Sequence, residues 1–143
     1  MTVARILAKK GREVATTQPH RTLREVANLL TARNIGAVVI ADVQGRVLGI
    51  LSERDIVRAV ATRGGDGLND AVSIYMTTRV ITASEEDTVL ATVEKMTAGR
   101  FRHLPVVKDG QLAGIVSIGD AVKFRLEEME REQSAMREYI ASV

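Results

Sequence analysis

Two short segments of this chain pair a hydroxyl with a carboxylate at one spacing: Ser52-Glu-Arg-Asp55 and Ser117-Ile-Gly-Asp120. Each follows an apolar run broken by one glycine, Val47-Leu-Gly-Ile-Leu51 and Leu112-Ala-Gly-Ile-Val116. Ser at an N-cap with Asp three residues on makes a capping box, which stabilises a helix start by about 1 kcal/mol. The same pair can also hold a sugar phosphate. A free helix N-terminus attracts phosphate through its unpaired N–H groups and dipole. A Ser hydroxyl adds a donor, and a carboxylate one turn in can accept both vicinal hydroxyls of a ribose. For one copy alone the cap is the better reading. Three features favour a site: the glycine-broken apolar run precedes both copies, both sit at equivalent places in a repeat, and both keep Ser and Asp while the residues between differ completely.

The elements that position these pairs also occur twice. Thr22-Leu-Arg-Glu25 opens a helical pattern with apolar Leu23, Val26, Ala27, Leu29 and Leu30, and Thr88 opens another with Val89, Leu90, Val93 and Met96. Thr88 lies 66 residues after Thr22, and Ser117 lies 65 after Ser52. The unit reads β-α-β-β-α. A short strand (Val14–Thr17; Val80–Thr82) precedes a helix (22–33; 88–98). Two strands follow (Ala37–Ala41 and Val47–Leu51; Leu104–Val107 and Leu112–Val116), then a helix from each Ser. Asp42-Val-Gln-Gly45 and Lys108-Asp-Gly110 supply the turns. Short apolar leads, Val3–Leu7 and Val72–Met76, precede the units. The expected division is a first repeat over 1–62, a second over 71–125, and an extension over 126–143. Residues 63–70 read as a linker, because three glycines in five residues do not sustain a helix.

From Asp120 onward no Gly or Pro interrupts the pattern. Val122, Leu126, Met129, Met136, Ile140 and Val143 follow a 4-3 spacing, with Gln133 in the matching slot. This predicts a long amphipathic helix whose narrow seam packs either on its own domain or, the favoured reading, on a partner helix in a homodimer. About sixty residues per repeat is marginal for an independent core, so the repeats should pack on each other.

Composition narrows the function classes. Of 143 residues, 20 are basic and 18 acidic, and a net charge of +2 with no basic run disfavours nucleic-acid binding. Four aromatic residues offer no stacking platform for single strands. The absence of cysteine excludes disulfides, thiolate metal sites and Cys catalysis. The two histidines are far apart, which disfavours a metal site, and His20 reads as a solvated turn residue. No nucleophile–base pair indicates an enzyme. No apolar run reaches the roughly 18 residues of a membrane span, and the N-terminus has no signal-length stretch, so a cytoplasmic protein is expected.

Taken together, the chain resembles a tandem pair of cystathionine-β-synthase (CBS) domains, the Bateman arrangement, over residues 1 to about 125. The resemblance rests on the unit order, on Asn34-Ile-Gly-Ala-Val-Val39, on Phe101-Arg-His-Leu-Pro-Val-Val107, on both Gly-h-h-Ser-x-x-Asp motifs (h, apolar) and on Val72-Ser-Ile-Tyr-Met-Thr77. It implies an α/β (α+β) fold of two β-α-β-β-α repeats about a pseudo-twofold axis, here with a long C-terminal helix. It also implies two clefts for adenine-containing ligands such as AMP, ADP, ATP, NAD or S-adenosylmethionine, a regulatory role without a required cofactor, and frequent dimerisation.

By the same resemblance, Asp55 and Asp120 match ribose-binding acids, and Ser52 and Ser117 match hydroxyls at the ribose or phosphate. Val14, Ala15 and Thr16, and likewise Val80, Ile81 and Thr82, match the segment lining the base. Ile35-Gly36-Ala37 and Arg102-His103-Leu104-Pro105 match the stretch before the second strand, where basic residues often hold phosphate. Only the second repeat has basic residues there, so the two clefts are expected to be unequal, and Arg102 and His103 could share a ligand with either Asp. His103 suits either a ligand contact or a structural role, and Arg54 reads as solvated. The leading expectation is a stand-alone nucleotide sensor acting on a partner protein. The alternative is an interaction module with empty clefts.

Overall fold

Helix and strand periodicity carries through to the backbone almost element by element. The computed structural model describes residues 1–142. In the first half, α1 (Val3–Lys10), β1 (Thr16–Thr17), α2 (Leu23–Arg33), β2 (Ala37–Ala41), β3 (Val47–Ser52) and α3 (Glu53–Arg63) follow one another. The second half comprises α4 (Val72–Tyr75), α5 (Val89–Gly99), β4 (His103–Lys108), β5 (Gln111–Ser117) and α6 (Ile118–Ala141). Thr22 Oγ1 accepts the Glu25 amide at 3.2 Å and Thr88 Oγ1 accepts that of Ala91 at 3.0 Å, so each repeat's first helix starts on a threonine cap. The Glu25 carboxylate turns to Arg21, 3.7 Å away.

β1 runs parallel to β2, which pairs antiparallel with β3, and β4 pairs antiparallel with β5. The registers are equivalent: Ala37 lies opposite Ser52, and His103 opposite Ser117. At the second hairpin, Asp109 and Gly110 both have positive φ, 52° and 77°, as a two-residue primed turn requires.

The expected strand at Val80–Thr82 does not form. Its ladder shrinks to one parallel bridge, Ala83 to Val106. The cause is Pro105. In the first repeat the Val39 N–H donates to the Ala15 carbonyl at 3.1 Å, and the residue at the Val39 position in β4 is Pro105, which has no N–H to donate. The neighbouring Thr82 carbonyl accepts from Lys95 Nζ at 3.0 Å. β1 is likewise shorter than the expected Val14–Thr17.

Residues 64–69, expected as linker, wind into a 3-10 helix. The glycines permit a close approach rather than a break: a Cβ on Gly67 would meet the Ala59 carbonyl oxygen at 2.9 Å. Asp70 then pins the turn by accepting from Arg63 at 2.8 Å and from the Tyr75 hydroxyl at 2.5 Å.

The leads cross over between the repeats. α1 begins on the Asp87 carbonyl, and its Val3, Ile6 and Leu7 join the second core with Leu104, Val106 and Val116. α4 begins on the Arg21 carbonyl, and its Val72 joins the first core with Leu23, Val38 and Leu51. This exchange explains both motif glycines. A Cβ on Gly114 would lie 2.8 Å from Leu7 Cδ2, and one on Gly49 would lie 2.7 Å from Met76 Sδ and 3.0 Å from the Thr77 carbonyl oxygen.

α6 buries only Ala121 and Phe124 among its described residues. The 4-3 seam does not pack back on its own fold: Val122, Leu126, Met129, Met136 and Ile140 are all exposed. Val143 of that seam lies outside the described residues. No helix among the described residues is long and apolar enough to cross a membrane.

Candidate functional site

β3 ends on Ser52 and α3 begins at once, so the capping pair sits where the strand delivers the helix. The Ser52 N–H and hydroxyl both donate to Asp55 Oδ2, at 2.9 and 3.2 Å. Asp55 Oδ1 is left with only a loose approach from Arg58 Nη1 at 3.9 Å. A cleft of about 830 Å³ opens in front of this pair. From the first repeat it is lined by Gly36, Ala37, Ser52 and Asp55. Its facing wall belongs to the second repeat: Val80, Ile81, Arg102 and His103. Both basic residues thus line the Asp55 cleft, although His103 also lies opposite Ser117 in the β4–β5 ladder.

His103 stands at the junction of the repeats. A Cβ on Gly36 would be 3.4 Å from the imidazole Cε1 and 3.6 Å from Nε2, so a larger side chain at 36 would run into the ring. Burial pushes the His103 pKa below its usual value; Asp120 and Glu53 pull it up, and Lys10 and Arg102 push it further down. The ring therefore feels one acid from each repeat.

The second acid is differently placed. Ser117 Oγ accepts the Asp120 amide at 3.0 Å, and Asp120 Oδ2 accepts the Ser117 N–H at 2.9 Å, a complete capping box. The same Oδ2 is also held by Lys10 Nζ at 2.6 Å, and that ammonium donates to the Ile115 carbonyl at 2.9 Å. Burial raises the Asp120 pKa, but the Lys10 and Ser117 hydrogen bonds and the Lys10 charge outweigh it and hold the carboxyl below its usual range. Lys9 pairs with Glu127, so the end of α1 is fastened to α6 twice.

Not every expected residue reaches the Asp55 cleft. Pro105 is buried in β4, with its carbonyl accepting the Ala83 amide at 2.9 Å. The Thr82 carbonyl accepts from Lys95 Nζ, Thr16 lies in β1 and Val14 precedes that strand. Conversely, Arg58, Arg79 and Arg100 line the cleft, and so does Arg54, which is solvent-exposed as expected. The run Arg100-Phe-Arg-His103 carried the missed signal, because it closes α5 where Asn34-Ile-Gly-Ala37 closes α2. Both caps are left-handed, φ 53° at Asn34 and 57° at Arg100. Asn tolerates that conformation, whereas a long side chain there costs about 1–2 kcal/mol. Phe101 lies against Gly99 so closely that a Cβ there would be 2.1 Å from the ring.

The CBS domain profile matches residues 3–62 and 70–127. Among solved structures, a CBS-domain containing protein from Agrobacterium tumefaciens is 48% identical, with a TM-score of 0.85 over 87% of this chain and 99% of that one. A CBS domain protein from Pyrobaculum aerophilum, complexed with AMP, is 32% identical, with a TM-score of 0.75 over 84% and 89% of the two chains. The CBS domain pair of protein MJ0100, in complex with 5′-methylthioadenosine and S-adenosyl-L-methionine, is 28% identical, with a TM-score of 0.80 over 90% and 98%. This chain belongs to the CBS domain family. Its architecture is a CBS pair, two repeats about a pseudo-twofold axis with a long C-terminal helix.

Proposed function

We propose that this chain is a cytoplasmic regulatory sensor that binds an adenine nucleotide, AMP, ADP, ATP or NAD, in the Asp55 cleft and signals to a partner protein by moving its two repeats. The repeats span residues 1–62 and 71–125, joined by 63–70 and extended by 126–143, and each lends its lead helix to the other's core, so that α1 travels with the second core and α4 with the first. One observation carries the reading: the cleft faces Ser52 and Asp55 of one repeat with Ile81, Arg102 and His103 of the other. Asp55 Oδ1 serves the ribose diol. The start of α3 and Arg102 serve phosphate, Ser52 holds Asp55 in place, and Val80 and Ile81 meet the base over a floor of Gly36 and Ala37. Relatives of this fold bind AMP or S-adenosylmethionine, which supports the ligand class. A ligand touching both walls biases their relative position by its differential affinity for the two arrangements. With Asp120 held by Lys10, the chain binds one nucleotide.

A thermal-shift screen with AMP, ADP, ATP, NAD and S-adenosylmethionine tests this. A ligand at a hundred times its Kd stabilises by about 2.7 kcal/mol, a rise of roughly 5–10 °C for a chain of this size. No rise with any of them at millimolar concentration contradicts the proposal.

A second reading, a homodimerisation module, is favoured by the seam of α6, where Leu126 is 55% and Ile140 65% exposed. Light scattering on Leu126→Asp/Ile140→Asp tests it. A dimeric wild type and a monomeric variant support it; a monomeric wild type contradicts it.

A further inference from the structure

Arginines from four parts of the chain converge on one cleft. Arg54 and Arg58 come from α3, Arg79 from the segment after α4, Arg100 from the cap of α5 and Arg102 from the loop before β4. Two carboxylates, Glu53 and Asp55, share the cleft. The local excess of three positive charges exceeds the net +2 of the whole chain. Among the described residues, only Arg58 of the five is within ion-pair distance of a carboxylate, Asp55 at 3.9 Å, so the other four guanidinium groups remain available to an anion.

Fold stability does not account for these positions. Arg54 sits in the first turn of α3, where the helix dipole disfavours a cation. Arg54 and Arg58 are like charges one helical turn apart, a mutually repelling spacing. Arg100 takes the left-handed cap that its counterpart leaves to Asn34. Guanidinium groups bind phosphate oxygens in bidentate fashion, and one phosphate cannot engage five of them.

We infer that the cleft is built for a nucleoside polyphosphate: it selects a di- or triphosphate chain over a monophosphate and disfavours a cationic sulfonium nucleoside. The inference rests on the adenine-nucleotide reading for its nucleoside half only. Asp55 faces the ribose, and the phosphate chain runs outward along Arg102, Arg100 and Arg79.

Isothermal titration of the whole chain with AMP, ADP, ATP, S-adenosylmethionine and inorganic tripolyphosphate tests it, together with the Arg79→Gln/Arg100→Gln/Arg102→Gln variant. ATP is expected to bind at least about tenfold more tightly than AMP, a difference of about 1.4 kcal/mol. The variant is expected to bring that ratio within about threefold, and raised salt to weaken ATP more than AMP. Should the triple variant fail to fold, Arg79→Gln, which lies in neither helix nor strand, carries the comparison and reduces the ratio in part. AMP binding as tightly as ATP, S-adenosylmethionine binding more tightly than ATP, or a ratio untouched by these substitutions overturns the inference. The first two results leave the adenine-nucleotide reading intact. Tripolyphosphate binding without any adenine nucleotide binding overturns that reading and supports the polyphosphate site.

Discussion

The two acids of the repeated motif have been given different work, and paired substitutions separate them. In Asp55, which lines the cleft, one oxygen is engaged by Ser52 and the other has only the loose approach of Arg58. Asp55→Asn keeps an acceptor for the Ser52 N–H, so the start of α3 survives, but it removes charge-assisted bonds to the ribose hydroxyls. Such bonds contribute about 1.5–3 kcal/mol, so the Kd for ATP should rise about 10- to 150-fold. Asp120→Asn lies at the Lys10 contact, reaches the cleft only through the charge it presents to His103, and should change that Kd far less. Isothermal titration of both variants, with thermal midpoints to verify folding, supplies the comparison. Equal losses in the two variants, or a loss confined to Asp120→Asn, would refute the assignment.

Three further outcomes follow from the packing and charges. Gly114→Val should destabilise the chain by about 1–3 kcal/mol through overpacking against Leu7, and Leu7→Ala in the Gly114→Val background should recover part of that; urea titration measures both, and wild-type stability of Gly114→Val would contradict the exchange of α1. His103 has a folded pKa below its unfolded value near 6.5, so its stabilising contribution is present above about pH 6.5 and declines as pH falls below it. The thermal midpoint should therefore drop between pH 7.5 and 5.5, and His103→Gln should shrink that drop. Lys10→Ala should raise the Asp120 carboxyl pKa, measured by carbon NMR titration, while an unchanged value would place the Lys10 contact outside solution behaviour.

Much of the fold was legible because it rests on local signals. Threonine caps, helix-period apolar residues and turn glycines marked the helices and hairpins to within about two residues. The missing strand at Val80–Thr82 was hidden because its ladder depends on a partner 23 residues away, as in the surviving Ala83–Val106 bridge, where Pro105 withholds a donor. The exchange of α1 and α4 was hidden for a similar reason: each lead is apolar whichever core it enters, and only the clearance at Gly49 and Gly114 shows the destination. At the site, the motif pair and the inequality of the halves were readable, since Arg102 and His103 stand where Gly36 and Ala37 stand in the first repeat. Which acid those residues face is a property of the dyad, and so is the capture of Asp120 by Lys10 from the opposite end of the chain. Arg79 and Arg100 gave no periodic signal, because one lies outside helix and strand and the other caps a helix.

The most direct test is a crystal structure of the chain grown with ATP. The account predicts nucleotide density in the Asp55 cleft, with the ribose on Asp55, the phosphates toward Arg102, and the Lys10–Asp120 contact intact. Density at Asp120 with Lys10 displaced, or no nucleotide at saturating ATP, would contradict it.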